Sequence, residues 1–355
     1  AAAHGVNLVL TPVFTPPLTP DTLKADGDLI AQRLATAQRP LILAGTGVRL
    51  AQAEQDLLAF AEAHGIPVAT DWTHDLIASD HPLFAGRPGT IGTRPGNLGL
   101  QAADRLIVIG SRLNIRQVSY NWDTFAKNAY VVQVDVDPAE LTKPLVQADL
   151  KITADARVFL QSLRERCQGG LPSYAAWVAW CQDIRRRYGL AAPEPKGPAI
   201  HPYALVERVC GQLREDDILV CGNASACILP FQLAPLKKGQ RLFSNSGSAS
   251  MGYDLPAALG AATAAPQRRV ICFAGDGSLQ MNLQELQSLK SLGLNVLVVV
   301  IDNGGYLSIR LTHDNFFGRI VGATPASGVA FPDFARLATA FGLRTVDVRS
   351  HADLP

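Results

Sequence analysis

Five short runs of consecutive apolar residues constrain the fold of this chain more than any other feature of its sequence. Each run is followed by a turn that contains glycine or aspartate, and the runs lie at 41–44, 106–109, 218–221, 270–274 and 296–301. Strands that are apolar on both faces are typical of parallel sheets covered by helices on either side. The sequence therefore predicts the α/β fold class, with doubly wound parallel sheets.

The remaining elements follow from the same alternation of apolar runs and helical periodicity. Further strands are predicted at 67–70, 131–136 and 344–348, and helices across 51–64 and 282–292. No GxGxxG follows any of these strands, which argues against a generic NAD-binding fold.

Length and proline content divide the chain. Its 355 residues are enough for two domains, and four prolines between residues 6 and 20 indicate an extended entry rather than the start of a domain. A second proline-rich stretch before His201 predicts a linker with one helix. The predicted organisation is a tether arriving from a missing N-terminal domain at 1–22, a central domain at 23–168, the linker at 169–200, and a second domain at 201–355 that is incomplete at its C-terminus.

Charge and cysteine usage restrict the partners and the compartment. The net charge is +1 and basic residues are spread out, which favours a small-molecule ligand over nucleic acid. No run approaches about 20 apolar residues and no signal peptide is recognisable, so we expect no membrane association. Six cysteines without a CxxC pair are predicted to be reduced core residues of a cytoplasmic protein.

Two polar turns follow neighbouring apolar runs near the end of the chain. Gly275-Asp276-Gly277-Ser278 follows 270–274, and Asp302-Asn303-Gly304-Gly305 follows 296–301. If the two strands are neighbours joined by a right-handed crossover, both turns lie at one sheet edge, where α/β folds bind ligands. A carboxylate, a carboxamide oxygen and a backbone carbonyl are ligands that suit Mg²⁺, which commonly shares its sphere with a diphosphate.

Each turn alone is also an ordinary connection between a strand and a helix. Their joint occurrence, with Asn303 lying 27 positions after Asp276, favours a binding site. The glycines would permit close backbone approach, and Ser278 with the first amides of the following helix would face the phosphates.

The segment GDGSLQMNLQEL, followed by Asp302-Asn303, resembles the thiamine diphosphate motif of the acetolactate synthase and pyruvate decarboxylase family. The resemblance implies that Asp276, Asn303 and the carbonyl of Gly305 bind the Mg²⁺ that anchors the diphosphate. The chain departs from the family at Asp302, where the first asparagine of the pair is expected, and this extra carboxylate would tighten or shift the metal site.

The stretch 246–258 resembles the family's segment beneath the cofactor. By this resemblance Met251 is the apolar wedge that bends the cofactor, and the backbones of Ala249 and Met251 bond its aminopyrimidine; without the downstream motif, Met251 would be interpreted as a core residue. Ser225 is the candidate hydroxyl for the diphosphate, or alternatively a helix cap. The predicted cofactor-binding residues are Ser225, Ala249, Met251, Gly275, Asp276, Gly277, Ser278, Asn303 and Gly305.

The first domain resembles the family's Rossmann-like central domain, which binds FAD in acetolactate synthases. In the family, one stretch of this site contains arginines and a pair of acidic residues. The corresponding stretch here, 110–116, keeps the arginines but lacks the acidic pair. The resemblance leaves two interpretations open, an FAD site and a vestigial one. The candidate FAD contacts are Gly45, Gly47, Gly89, Thr90, Gly110, Arg112 and Asp135.

The resemblance covers the central and diphosphate-binding domains and implies an acetolactate synthase-like enzyme. Such an enzyme decarboxylates a 2-oxo acid, most simply pyruvate, and ligates the resulting enamine to a second carbonyl compound. The family's activating glutamate belongs to an N-terminal domain and reaches the site from a partner subunit, so no catalytic residue is assigned here, and we expect a homodimer or homotetramer with shared sites. The chain is expected to be a fragment, inactive alone, or one subunit of a split enzyme.

Two other functions stay open at this stage. Residues 315–319 differ from the sequence expected of acetolactate synthases at this place. The protein could therefore be a related carboligase or 2-oxo acid decarboxylase with another acceptor, such as a sugar ketone. The third alternative is a non-catalytic relative that binds a flavin or a nucleotide.

Overall fold

A computed structural model of the protein describes residues 20–144, 146–190, 193–194 and 197–354. The chain divides into two units. The first extends to Asp71 and resumes over Leu98–Cys181, and the second comprises Trp72–Asn97 together with the chain from Gln182 onwards. Most of the predicted tether at 1–22 lies outside the described residues, and Pro20 begins the first helix rather than continuing an extended segment.

Ten strands are assigned in the described ranges. They are β1 (Pro40–Ala44), β2 (Val68–Thr70), β3 (Phe84–Gly86), β4 (Arg105–Ile109), β5 (Tyr130–Asp135), β6 (Leu150–Thr153), β7 (Ile218–Cys221), β8 (Arg241–Phe243), β9 (Val270–Gly275) and β10 (Val296–Ile301).

The α-helices are α1 (Pro20–Ala35), α2 (Thr46–Leu50), α3 (Glu54–His64), α4 (Arg94–Ala102), α5 (Ile115–Val118), α6 (Pro138–Leu141), α7 (Ala156–Arg166), α8 (Ala175–Arg187), α9 (Pro202–Gly211), α10 (Ser225–Leu233), α11 (Asp254–Ala264), α12 (Asp276–Gln280), α13 (Glu285–Ser291), α14 (Leu307–Thr312) and α15 (Phe334–Ala340). Single helical turns of other types lie at His74–Leu76, Trp122–Thr124, His313–Phe317, Pro325–Ser327 and His351–Asp353.

The first unit is built around parallel strands in the order β2-β1-β4-β5-β6. All five residues of β1 are buried, as a strand covered on both faces requires. Helix α7 packs against α1 and α3, and its side chains Phe159 and Leu160 are almost fully buried. The predicted doubly wound architecture is confirmed for this unit.

The second unit contains a parallel sheet in the order β10-β9-β7-β8. Alternate strand residues enter two separate cores, because successive side chains of a strand point to opposite faces. Ile271 and Phe273 pack with side chains of α9 and α10, whereas Cys272 packs with side chains of α11 and α13. All six cysteines are free and buried, which confirms the prediction of reduced core residues.

Two predicted elements differ in the structure. The helix predicted across 51–64 begins only at Glu54, and a separate short helix, α2, starts already inside the glycine turn at Thr46. The predicted strand at 344–348 is wrong: in the described part of the chain it pairs with no other strand, and Val346 is 89% exposed. Strand propensity alone does not make a strand where no partner backbone is in register. Among the described residues, no helix is both long and apolar enough to cross a bilayer.

Candidate functional site

The site begins at the carboxyl ends of β9 and β10. The two strands are parallel neighbours, with Gly275 paired to Ile301 at the end of the ladder. The turns that follow therefore start at the same level, which confirms the predicted convergence of both turns on one sheet edge. The carboxyl edge of a parallel sheet is where α/β folds bind their ligands.

Asp276 joins the two turns. Its side chain is only 4% exposed, and one carboxylate oxygen accepts a hydrogen bond from the Gly277 amide at 2.7 Å. The other oxygen accepts from the Gly305 amide at 2.9 Å, across from the neighbouring turn. Burial raises the pKa of Asp276, and the Gly305 and Gly277 amides oppose that rise. The result is a desolvated carboxylate fixed between two backbone segments.

Asn303 supplies an unused acceptor beside this carboxylate. Its side-chain oxygen Oδ1 is buried and has no hydrogen-bond partner among the described residues. A buried acceptor without a partner is costly, and so is a desolvated carboxylate. One hard cation between the two oxygens would relieve both costs, so the residues fit the predicted magnesium set of Asp276, Asn303 and Gly305.

No cluster of three or more His, Cys, Asp or Glu side chains suited to a metal lies in the described ranges. The proposed set needs only one such side chain, because its other two donors are a carboxamide and a backbone carbonyl.

Gly277 is where a third segment meets the two turns. A Cβ at this position would lie 2.2 Å from Cε1 of Tyr306 and 3.2 Å from Cε of Met251. Met251 and Tyr306 therefore pack directly over the Gly277 backbone, and glycine is required there for steric reasons. This contact places the predicted wedge residue beside the predicted diphosphate turn. A Cβ on Gly275, in contrast, would meet nothing within 4 Å, which leaves space for a ligand at the strand end.

Ser278 lies inside the protein rather than facing open space. It is 2% exposed, and its Oγ accepts a hydrogen bond from the Gly252 amide at 2.8 Å. That Ser278 and the backbone amides of this turn face a diphosphate stays a prediction.

Two alanines at this edge have left-handed backbone conformations. Ala224, immediately before α10, has φ 46°, and Ala249 has φ 52°. Non-glycine residues with positive φ store strain and concentrate at functional sites. The Asn223 side chain donates to the Ala249 carbonyl at 3.4 Å, which connects the two strained turns. The amide of Ala249 bonds Asn245 at 2.8 Å, and Ser225 is the first residue of α10.

The glycines predicted for FAD in the first unit are explained by packing within the protein. A Cβ on Gly45 would lie 2.4 Å from the Gly110 carbonyl oxygen, and one on Gly47 would lie 2.6 Å from the Gly110 Cα. The two glycine turns thus pack backbone to backbone. Arg112 pairs with Glu140 at 3.5 Å, and buried Asp135 accepts from the Asp137 amide at 3.0 Å.

The other two candidate FAD residues, Gly89 and Thr90, belong to the second unit. Asn97 bonds the Gly89 backbone in both directions, donating at 3.1 Å and accepting at 2.8 Å. These contacts account for the conformations of the glycines, and an FAD site stays a prediction.

Three residues of the site were not predicted from the sequence. Tyr306 packs on Gly277, Asn282 donates to the Gly252 carbonyl at 2.6 Å, and the fully buried Asp254 lies beside Gly222, where a Cβ would come within 2.5 Å of its Oδ2. Asp254 carried a usable signal, because it is the one charged residue in the stretch 246–266 of small and apolar residues. The positions of Tyr306 and Asn282 depend on how the turns stack, which local sequence does not show.

Two family models match this chain. The model of the thiamine pyrophosphate enzyme central domain matches residues 28–163. The model of the C-terminal TPP binding domain of thiamine pyrophosphate enzymes matches residues 223–355 and so includes every predicted metal ligand.

The chain is also similar in sequence to curated acetolactate synthase large subunits. The chain is 32% identical to the acetolactate synthase large subunit of Corynebacterium glutamicum over 321 residues, which cover 89% of the chain and 51% of that protein. It is 32% identical to the acetolactate synthase isozyme 2 large subunit of Escherichia coli over 321 residues, covering 90% of the chain and 57% of the relative. A large subunit from Parasynechococcus marenigrum is 34% identical over 338 residues, 92% of the chain and 52% of the relative. The chain thus spans about half the length of these relatives.

Proposed function

Because the chain belongs to the thiamine pyrophosphate enzymes, we propose that the protein is an acetolactate synthase-like carboligase that decarboxylates a 2-oxo acid and joins the remaining fragment to a second carbonyl compound. Pyruvate is the proposed donor. The proposal depends mainly on two contacts of the turn that contains Asp276 and Gly277. Met251 packs over Gly277, and the Asp276 carboxylate accepts a hydrogen bond from the Gly305 amide of the neighbouring turn.

Asp276, Asn303 and the Gly305 carbonyl are proposed to hold Mg²⁺. The buried carboxylate and the unpartnered Asn303 oxygen lie on adjacent turns of one sheet edge, and Mg²⁺ prefers such oxygen donors together with phosphate oxygens. The open space beside Gly275 suits the diphosphate. These groups would fix one end of the cofactor before any chemistry occurs.

Met251 is proposed to set the cofactor's bend. Its side chain contacts the Gly277 turn, so a ligand anchored at that turn must pass over the methionine. When bound, thiamine diphosphate supplies a carbanion that adds to the ketone and a thiazolium ring that accepts the electrons released with CO₂. The contribution of these residues is orientation, which lowers the entropic part of the barrier.

The assembly and compartment are part of the proposal. The relatives are about twice as long, and the family resemblance implies that a glutamate from a partner subunit completes the site. We propose a homodimer or homotetramer in the cytoplasm, and the six free, buried cysteines support a reducing compartment. FAD binding by the first unit stays a prediction from the family resemblance.

Product analysis tests the function. The full-length protein with Mg²⁺ and thiamine diphosphate should release CO₂ from pyruvate and form acetolactate. Asp276→Ala should abolish both, whereas Asp216→Ala, which removes an exposed carboxylate just before β7, should leave both intact. CO₂ release with aldehyde as the only product would indicate a decarboxylase. No turnover of any 2-oxo acid in a protein that binds the cofactor would contradict the proposed carboligase.

A further inference from the structure

The backbone of Gly252 is held on both sides by side chains of one other segment. Its amide donates to Ser278 Oγ at 2.8 Å, and its carbonyl accepts from the Asn282 side-chain nitrogen at 2.6 Å. Gly252 is buried and lies before the first residue of α11. Both partners belong to the segment 276–282, which begins at the proposed Mg²⁺ ligand. The peptide groups on either side of Gly252 are therefore fixed to the segment that would hold the metal.

The carboxamide of Asn282 has a defined orientation. Its oxygen accepts a hydrogen bond from the Gln284 side chain at 3.1 Å, and a backbone carbonyl such as that of Gly252 can only accept. The nitrogen of Asn282 is therefore the group that faces Gly252. No other side-chain atom bonds the Gly252 carbonyl in the described part of the chain, so this contact depends on Asn282.

The close approach of the two segments requires glycine at position 252. Its φ is 78°, and a Cβ there would lie 2.7 Å from Cβ of Met281 and 2.8 Å from Nδ2 of Asn282. The preceding residue, Met251, contacts the same segment, because its Cε would lie 3.2 Å from a Cβ on Gly277. Packing and hydrogen bonding thus act together on two consecutive residues, of which the first is the proposed wedge.

We propose that Asn282 is a positioning residue of the cofactor site, which fixes Met251 by holding the carbonyl of Gly252. The inference rests on the proposed function, in which Met251 sets the bend of the cofactor. Asn282 is not one of the proposed Mg²⁺ ligands, so its loss should leave the diphosphate end of the site unchanged. A released Met251 turn must be ordered again when the cofactor binds, which costs affinity for the ring portion.

Two probes separate the ring portion from the diphosphate portion: thiamine diphosphate and inorganic pyrophosphate, each titrated calorimetrically into the full-length protein with Mg²⁺. Asn282→Ala should weaken thiamine diphosphate by about five- to tenfold, the scale of one lost neutral hydrogen bond. It should bind pyrophosphate within about twofold of the wild type. Asn282→Leu keeps the side-chain volume without the donor and should behave in the same way, which carries the test if Asn282→Ala does not fold.

A double-mutant cycle tests whether Asn282 acts through the wedge. Met251→Ala should itself weaken thiamine diphosphate. In that background Asn282→Ala should change the affinity by no more than about twofold, because residues that act through one another are not additive. A full additional loss in the double variant would show that Asn282 does not act through Met251 and would overturn the inference.

Asn295→Ala is the matched control, because Asn295 is an exposed asparagine just before β10. It should leave both affinities unchanged. Wild-type affinity for thiamine diphosphate in the folded Asn282 variants, or an equal loss for both probes, would overturn the inference and leave the proposed function intact. A folded wild-type protein that binds neither probe would refute the proposed function and the inference with it.

Discussion

Replacing Asn303 by alanine should move stability and cofactor binding in opposite directions. Without a cation, the buried Oδ1 has no partner, and such an acceptor costs about 1–3 kcal/mol. Removing it should stabilise the ligand-free protein by about 1 kcal/mol, after part of the gain is offset by lost packing of this half-buried side chain. For a unit of this size the melting temperature should rise by about 2–4 °C.

The same substitution should weaken cofactor binding, although it stabilises the ligand-free protein. If Asn303 is one of three protein oxygens on Mg²⁺, its loss should weaken Mg²⁺-dependent cofactor binding by about 100-fold, or about 2.7 kcal/mol. At a ligand concentration 100 times the wild-type Kd, the wild type gains about 2.7 kcal/mol of stability and the variant only about 0.4 kcal/mol. The cofactor-induced rise in melting temperature should therefore nearly vanish.

Thermal unfolding with and without Mg²⁺ and thiamine diphosphate measures both quantities in one experiment. Asn295→Ala is the matched control, since Asn295 is an exposed asparagine just before the other end of β10. The control should keep the full cofactor-induced rise. An Asn303→Ala protein that is less stable without ligand and still shows the full rise would refute the assignment of this oxygen to the cation.

Three further predictions concern neighbouring residues. Gly305→Ala should reduce cofactor binding by at least about tenfold, because φ is 140° and its Cβ would lie 2.2 Å from the Ala323 carbonyl oxygen, displacing the amide that bonds Asp276; unchanged calorimetric affinity would contradict this. Gly277→Ala should abolish binding through a clash at 2.2 Å with Tyr306, and adding Tyr306→Ala should recover part of it, whereas no recovery in the double variant would show that the clash is not the cause. Burial raises the pKa of Asp254 above its ordinary 3.8, so the stability that its neutral form contributes is complete below pH 3.8 and is lost as the pH rises through the raised value. Asp254→Asn should then become more stable relative to the wild type as the pH increases, and a stability difference independent of pH in thermal unfolding would argue against a raised pKa.

The sequence was informative wherever one strong local pattern determined the outcome. Apolar runs such as 270–274 and 296–301 can be buried on both faces only in a covered parallel sheet, so their strands and their shared edge could be predicted. The polar turns after them then had to converge, and the contact between Asp276 and Gly305 follows from that geometry.

Features that depend on partners distant in sequence could not be predicted in the same way. The segment 344–348 has strand-like residues, yet it forms no ladder because pairing requires a neighbour in register. Glycine is equally ambiguous in sequence: Gly275 borders open space, whereas Gly47 is packed against the Gly110 backbone. Only the contacts distinguish a glycine that leaves room for a ligand from one that permits close packing.

Ser278 shows the same limit for hydrogen bonding. Its place in the GDGS turn suggested a phosphate contact, and in the structure its Oγ also accepts from the Gly252 amide, 26 positions earlier in the chain. A hydroxyl bonds the partners that the fold brings near it, and local sequence does not show a partner so far away.

The proposed cofactor site is tested by calorimetric titration of the full-length protein with thiamine diphosphate, in the presence and absence of Mg²⁺. We expect saturable binding with one cofactor per chain that requires Mg²⁺, is lost in Asp276→Ala and persists in Asp216→Ala. Binding that is independent of Mg²⁺ and unchanged in Asp276→Ala, or no binding by the folded wild type, would contradict it.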